Sequence, residues 1–290
     1  MIKRIEIADK AAVEDIRRRY NHIYASHSFN MMFAWKDIVG DELYLEEDMY
    51  SLHYTAKGDN AWMFPVGDDA NKESFIREHI NDTGLRLCYM RDEDVCFLRN
   101  RFPDRFEYIA MPDDSEYVYE VAKHVQLSGK LYKNFRHRVN AAKREHPQLR
   151  IEDISDDNIS DAKQVIMEWR PRGKDRGALH LEGNEAEIIP CDMWKELDYY
   201  GIVIYLNDRP IATALGYQLS DDVCDLAIRK TIIDDCNLGY YTGWLFTIRA
   251  QERGSVYINY EDDLGITGLR QFKTELHPDY MNNVTEAYTV

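Results

Sequence analysis

No stretch of eighteen consecutive apolar residues occurs in this 290-residue chain, so no membrane-spanning helix is expected. The opening residues, MIKRIEIADKAAVEDIRRRY, alternate charge with apolar side chains and hold no apolar core of signal-peptide length. Cysteine is sparse: Cys88, Cys96, Cys191, Cys224 and Cys236 are odd in number, scattered and never spaced as C-x-x-C, which leaves no zinc or disulfide framework. The histidines His22, His27, His53, His79, His124 and His180 lack ligand spacing, so no metal is expected. Nothing matches the phosphate-cradling G-x-x-x-x-G-K-[ST] pattern. Cations are also in deficit, 36 Lys and Arg against 52 Asp and Glu, and the net charge of −16 excludes a uniformly cationic surface for nucleic acid or anionic membrane. A reducing cytoplasm is the expected compartment.

What remains is a folded globular composition, 44% hydrophobic and 30% charged. Val13, Ile16, Tyr20, Ile23 and Tyr24 recur at helical spacing over Ala11–Tyr24. Leu43–Tyr54 and Ala61–Val66 read as two strands joined by the turn Lys57-Gly58-Asp59-Asn60, a hairpin. Helix is expected over Asn71–Asn81 and strand over Leu85–Met90, then helix or turn over Asp92–Asn100 and strand over Phe106–Ala110. The second half begins with a strand at Leu149–Ile154 and helices at Asn158–Trp169 and Glu185–Leu197. An antiparallel meander follows over Gly201–Leu206, Ile211–Leu219 and Val223–Lys230, its turns marked by Asn207-Asp208 and Ser220-Asp221-Asp222. A helix at Tyr240–Glu252, a strand at Val256–Asn259, a helix at Thr267–Leu276 and a strand at Val284–Val290 complete it. Each half thus runs hairpin or meander, helix, strand, helix, strand, so two related α+β units are expected, 1–128 and 129–290.

Charge is sharply segregated. Lys130–Arg150 holds Lys130, Lys133, Arg136, Arg138, Lys143, Arg144 and Arg150 against Glu145 alone, a net +6, so the rest of the chain carries −22. Leu131, Phe135, Val139 and Ala142 make an apolar stripe on this helical segment, and the cations lie on other faces. Such a face serves either as solvated surface or as a site for a phosphate-bearing ligand, and its recurrence in so acidic a chain favours the ligand. The glycine-containing loop Arg170–Gly177 is a second basic cluster, read equally as a cover for an anionic substrate or as plain surface.

A third feature is Asn259–Lys273. A strand ends in Asn259 and runs through Glu261, Asp262 and Asp263 into a helix carrying Arg270 and Lys273. Carboxylates ahead of a helix N-terminus favour its dipole, which accounts for the acids but less well for Asn259, Arg270 and Lys273. Polar groups at the C-terminal end of a strand also line ligand crevices of open α/β sheets, and both readings stay open.

Two patterns carry a resemblance. S-G-K-x-x-K-N-x-R-H-R-V-N-x-A-K-R over Ser128–Arg144, with N-x-E-x-D-L-G-x-x-G-L-R-x-x-K-x-x-x-x-P over Asn259–Pro278, resembles the C-terminal domain family of bacterial phosphatidylglycerol lysyltransferases, across nearly the whole chain. The resemblance implies two tandem GNAT-like acyltransferase units, each a largely antiparallel mixed sheet flanked by helices, in a soluble stand-alone member. It implies transfer of an acyl or aminoacyl group from acyl-CoA or aminoacyl-tRNA, bound as co-substrate rather than as a tight cofactor, to an amine or hydroxyl acceptor. Asn259, Asp262, Arg270 and Lys273 would then surround the reacting groups, with Asp262 as base or amine-orienting group. Lys130, Lys133, Arg136, Arg138, Lys143 and Arg144 would meet donor phosphate, as would backbone N–H groups at Gly239 and Gly243. The alternative is a GNAT-like module that binds a phosphorylated ligand without turnover.

Overall fold

The structure, a computed structural model, describes residues 2–55, 60–169 and 185–290. The expected turn at Lys57-Gly58-Asp59 and the basic loop Arg170–Gly177 lie outside the described residues.

The first elements are β1 (Ile2–Arg4), α1 (Lys10–Arg19), α2 (Phe29–Val39), β2 (Asp41–Leu45), β3 (Met49–Tyr54), β4 (Ala61–Met63), β5 (Val66–Gly67), α3 (Asp69–His79), β6 (Arg86–Met90), α4 (Asp92–Arg101) and β7 (Phe106–Ala110). Helix α1 is shorter than its periodicity suggests, because Asn21 takes a positive φ of 47° and turns the chain. Helix α2 has both of its ends marked in sequence. Ser28 accepts from the Met31 N–H at the start, and Gly40 closes the end at φ 67°. The expected single strand Leu43–Tyr54 is two strands, β2 and β3, because the polar triplet Glu46–Asp48 reverses the chain and the Glu46 N–H bonds Met49 O at 2.9 Å.

Next come β8 (Glu116–Glu120), α5 (Val121–Gln126), α6 (Lys133–Glu145), β9 (Arg150–Asp153), α7 (Ile159–Glu168), α8 (Glu185–Asp192), β10 (Tyr200–Leu206), β11 (Arg209–Gln218), β12 (Val223–Thr231), α9 (Cys236–Glu252), β13 (Tyr257–Asn259), α10 (Thr267–Glu275) and β14 (Tyr280–Asn282). The chain closes on β15 (Thr285–Thr289). The expected meander is present as β10, β11 and β12, antiparallel throughout. Ile202, Val203 and Ile204 of β10 are fully buried, worth about 1.5–3 kcal/mol each.

The strands form two mixed sheets flanked by helices, the expected class. One follows the order β1-β2-β3-β4-β6-β15-β7, with β5 paired to β3; the other follows β14-β8-β13-β12-β11-β10-β9. The parallel pairs given by register are β4 with β6 and β12 with β13.

The compact units do not divide at 128/129. One comprises Met1–Glu116 with Asn282–Val290, the other Tyr117–Met281. The difference comes from two strands. The final strand, expected to complete the second half, lies instead in the first sheet, antiparallel to both β6 and β7. Strand β8, which directly follows the first unit, lies in the second sheet between β13 and β14. The first sheet therefore takes one inner strand, β15, from beyond the whole of the second unit, while β8 opens the second unit.

Candidate active site

Within the unit Tyr117–Met281, β12 and β13 run side by side only from Val223↔Tyr257 to Asp225↔Asn259. Strand β13 stops at Asn259, whereas β12 continues to Thr231. At the same level the pairing of β12 with β11 slips between Leu215 and Tyr217, opposite a Gly216 at which a Cβ would meet the Asp225 carbonyl oxygen at 1.9 Å. The sheet opens there, and the segment Asn259–Ile266 occupies the end of the opening.

That segment is held by its own side chains. Asn259 is fully buried, and its Oδ1 accepts from the Glu261 N–H at 2.8 Å. Glu261 takes φ 56°, Leu264 52° and Gly265 68°, so three left-handed residues shape one short loop. Asp262 Oδ1 accepts from the Leu264 N–H at 3.1 Å, and Asp263 Oδ1 from the Gly265 N–H at 2.9 Å. Asp263 is fully buried and receives Arg270 Nε and Nη2, both at 2.7 Å, and the Tyr117 hydroxyl at 2.6 Å. Burial works to raise the Asp263 carboxyl, yet the bonds from Arg270, Tyr117 and Gly265 outweigh it and hold the group below its usual value. Lys273 is buried, and its Nζ donates to Tyr260 O at 2.5 Å and to Asp262 O. The structure thus brings Asn259, Asp262, Arg270 and Lys273 together, with side chains that brace the loop.

The chemistry-bearing group the loop presents is Glu261, which the sequence reading placed among helix-dipole acids. Its Oε1 is buried with no hydrogen-bond partner among the described residues. Loss of solvation, then the neighbouring charge of the fully buried Asp225, pushes Glu261 well above the usual carboxylate range, against the pull of Lys273. The Tyr199 hydroxyl is raised by the same burial and by Asp225 and Glu261. The missed signal was Asp225, one acid inside the apolar strand VCDLAI.

The cations lie on the other side of this sheet. Ile258 packs in one core with Phe135 and Val139 of α6 and Phe246 of α9, so its neighbour Asn259 faces away from them. Helix α6 begins at Lys133, later than expected: Gly129 turns at φ 80°, and Lys130 and Leu131 precede the helix. Leu131, expected in the buried stripe, is accordingly 58% exposed. Arg136 donates to Leu127 O and to Gly129 O, which pins that turn. Arg138 donates to Asn237 Oδ1 at 3.2 Å, and Lys143 stands 4.0 Å over the Trp244 ring, its pKa lowered by desolvation. Among the described residues, none of Lys130, Lys133, Arg136, Arg138, Lys143 and Arg144 makes an ion pair, although most other cations of this acidic chain do.

The N-terminus of α9, expected to offer amides to phosphate, is met by its own N-cap: Asp235 accepts from the Asn237 N–H at 2.8 Å. Gly239 stands in the first turn beside open space, but Gly243 is buried two turns inside the helix, where a Cβ would approach the Tyr260 hydroxyl at 3.2 Å. Its amide is a helix-interior donor, so phosphate has no access to it. Glu145, His146 and Asp235 bring ligand-type atoms within 4.8 Å of one another, but His146 Nε2 is already 2.8 Å from Asp235 Oδ2 and Glu145 accepts from Asn237.

One family, phosphatidylglycerol lysyltransferase, C-terminal, matches residues 17–284. The chain belongs to that family. The family fold extends to solved structures of low identity. A conserved protein of unknown function from Bacteroides thetaiotaomicron superposes with a TM-score of 0.89 at 20% identity, over 100% of this chain and 99% of that one. The L-PGS from Bacillus licheniformis gives 0.68 at 14% identity, over 97% and 91%. FemX gives 0.64 at 7% identity, over 100% and 97%. Among curated proteins none matches the sequence. No helix among the described residues is long and apolar enough to cross a membrane.

Proposed function

We propose that this family member is an acyl- or aminoacyltransferase, moving the group from a phosphate-bearing donor to an amine or hydroxyl acceptor. The observation that carries the proposal is Glu261, a carboxyl of raised pKa beside Asp225 where β12 and β13 part. An amine acceptor must lose a proton as it attacks the donor carbonyl, and a carboxylate whose pKa burial and Asp225 have raised is a stronger base for that proton than an ordinary one. The C–O bond of an ester donor, or the C–S bond of a thioester, then breaks, and the proton passes to the leaving oxygen or sulfur. Asn259, Asp262, Arg270 and Lys273 fix the loop that aims Glu261, and the cations of α6 meet the phosphates of the donor.

Of the two donors, aminoacyl-tRNA is favoured over acyl-CoA. The Asp235 carboxylate caps the helix end that would otherwise receive a pyrophosphate, whereas the cations of α6 extend along several turns, as a longer polyanion needs. The test is turnover with charged tRNA and with acetyl-CoA over a panel of amine acceptors. Transfer is expected, with a rate that falls as pH drops through the raised Glu261 value. Glu261→Gln should lower kcat by about 10²–10⁴ with donor affinity unchanged. Donor binding without transfer to any acceptor overturns the reading in favour of a binding module, and full activity in Glu261→Gln overturns the assignment of the base.

A further inference from the structure

A cleft of about 330 Å³ lies between α6, α9 and α10, lined by Asn134, Phe135, His137, Arg138, Tyr240 and Glu275. Its volume sits at the lower end of small-ligand sites, roughly 300–1,000 Å³, so it suits one ring system rather than a whole cofactor. The wall is aromatic. Tyr240 packs edge-on against Phe272, ring centroids 4.8 Å apart, and tilts over Phe135 at 5.8 Å. The Tyr240 hydroxyl donates to Glu275 Oε2 at 3.0 Å and Gln271 Nε2 to Glu275 Oε1 at 2.9 Å. Those two bonds hold Glu275 below its ordinary pKa, so it stands at the rim as an ionised, acceptor-only group with lone pairs to spare. Opposite it, the Asn134 amide and the His137 ring make no hydrogen bond among the described residues. The Arg138 guanidinium lies 5.8 Å from the Tyr240 ring.

An aromatic platform, a fixed carboxylate acceptor, a free amide and a neighbouring guanidinium form the complement of a nucleobase on a phosphate. The carboxylate selects among bases: it accepts from the exocyclic amine of adenine or cytosine and repels the carbonyl oxygen that uracil presents at the same place. Asn134 offers the donor and acceptor pair that matches the adenine edge. Resting on the transferase reading above, we infer that this cleft is the subsite for an amino-bearing nucleobase of the donor. Tyr240 is its stacking surface and Glu275 its specificity-determining group. The same base chemistry could come from the adenine of CoA or from the 3′ nucleotide of an RNA.

The test uses the full chain and isothermal titration with AMP, CMP, UMP and inorganic pyrophosphate. AMP and CMP should bind at least tenfold tighter than UMP. Glu275→Gln, which keeps size and still accepts from Tyr240, should bring the AMP-to-UMP ratio close to one without changing pyrophosphate affinity. Tyr240→Leu should weaken all three nucleotides, whereas Tyr240→Phe should retain stacking. Equal binding of AMP and UMP, or a preference that survives Glu275→Gln, overturns the subsite. Competition against AMP by CoA and by a short RNA ending in adenosine identifies the source, and failure of both to compete also overturns it. Transfer measured separately keeps the two ideas apart: a base preference without transfer defeats only the transferase reading, and transfer without a base preference defeats only the subsite.

Discussion

Replacing Asp263 with alanine tests whether the loop that carries Glu261 is held by one buried carboxylate. Asp263 is fully buried and accepts four hydrogen-bond donors, from Arg270 Nε and Nη2, the Tyr117 hydroxyl and the Gly265 N–H. The Arg270 side chain is 43% exposed, so its guanidinium regains water when the carboxylate goes, and the bidentate pair is worth about 1–2 kcal/mol rather than the full value of a buried one. The Tyr117 hydroxyl and the Gly265 N–H are then stranded, at about 1 kcal/mol each as a low estimate. Asp263→Ala should therefore destabilise its unit by about 3–4 kcal/mol. With a urea m-value of about 1–3 kcal/mol/M, the midpoint should fall by at least about 1 M. The assay is urea unfolding followed by fluorescence and circular dichroism, on Asp263→Ala, Arg270→Ala and the double variant. The double-mutant cycle should return a coupling of about 1–2 kcal/mol. A loss below about 1 kcal/mol for Asp263→Ala, or no coupling with Arg270, would refute the account of this loop.

Two further outcomes follow from groups elsewhere. His22 and His27 are buried with ring centroids 3.9 Å apart, and burial together with the nearby Arg91 and Arg17 holds both well below the usual imidazole value, the His27 charge adding to the effect at His22. The unfolded chain takes up these protons near pH 6.5 and the folded one does not, so stability should be full above that pH and fall below it, by up to about 2 kcal/mol per histidine at pH 5; urea midpoints at pH 7.5 and 5.0, compared with a His22→Gln variant, measure it. Replacing Lys133 and Arg144 by glutamine should weaken binding of a short single-stranded RNA and flatten the dependence of log K on log salt by about 1.4; an unchanged slope would remove both residues from the phosphate contact.

How much of this was readable without coordinates depends on how local the cause is. The meander β10–β12 and the amphipathic α10 follow from period and turn residues and stand where those signals put them, while helix α9 begins about one turn before the expected Tyr240, at Cys236, where Asp235 caps it. Helix α2 escaped because its residues, FNMMFAWKDIV, are apolar nearly all round and give little periodicity, although Ser28 and Gly40 mark its ends. Strand β8 was not expected, and β15 was expected as a strand but in the other sheet: which sheet a strand joins is settled by long-range pairing, and no local pattern reports it. The site was legible in part. Asn259, Arg270 and Lys273 drew attention as polar residues a helix start does not need, and they do meet in one loop. Their work there is to hold backbone. The residue they aim, Glu261, gains its chemistry from Asp225 on a neighbouring strand, a proximity that only folding creates.

The late return of β15 to the first sheet also sets a timetable for synthesis. Strand β15 fills the gap between β6 and β7, yet it is translated only after the whole of Tyr117–Met281. At about 5–20 residues per second, the ribosome needs roughly 10–35 s to go from the end of β7 to the start of β15. Throughout that interval the facing edges of β6 and β7 carry unpaired N–H and C=O groups, a template for pairing with other nascent chains. The second unit, whose β8 has already been made, can close its sheet first. The part of the protein that leaves the ribosome earliest is the part that is finished last.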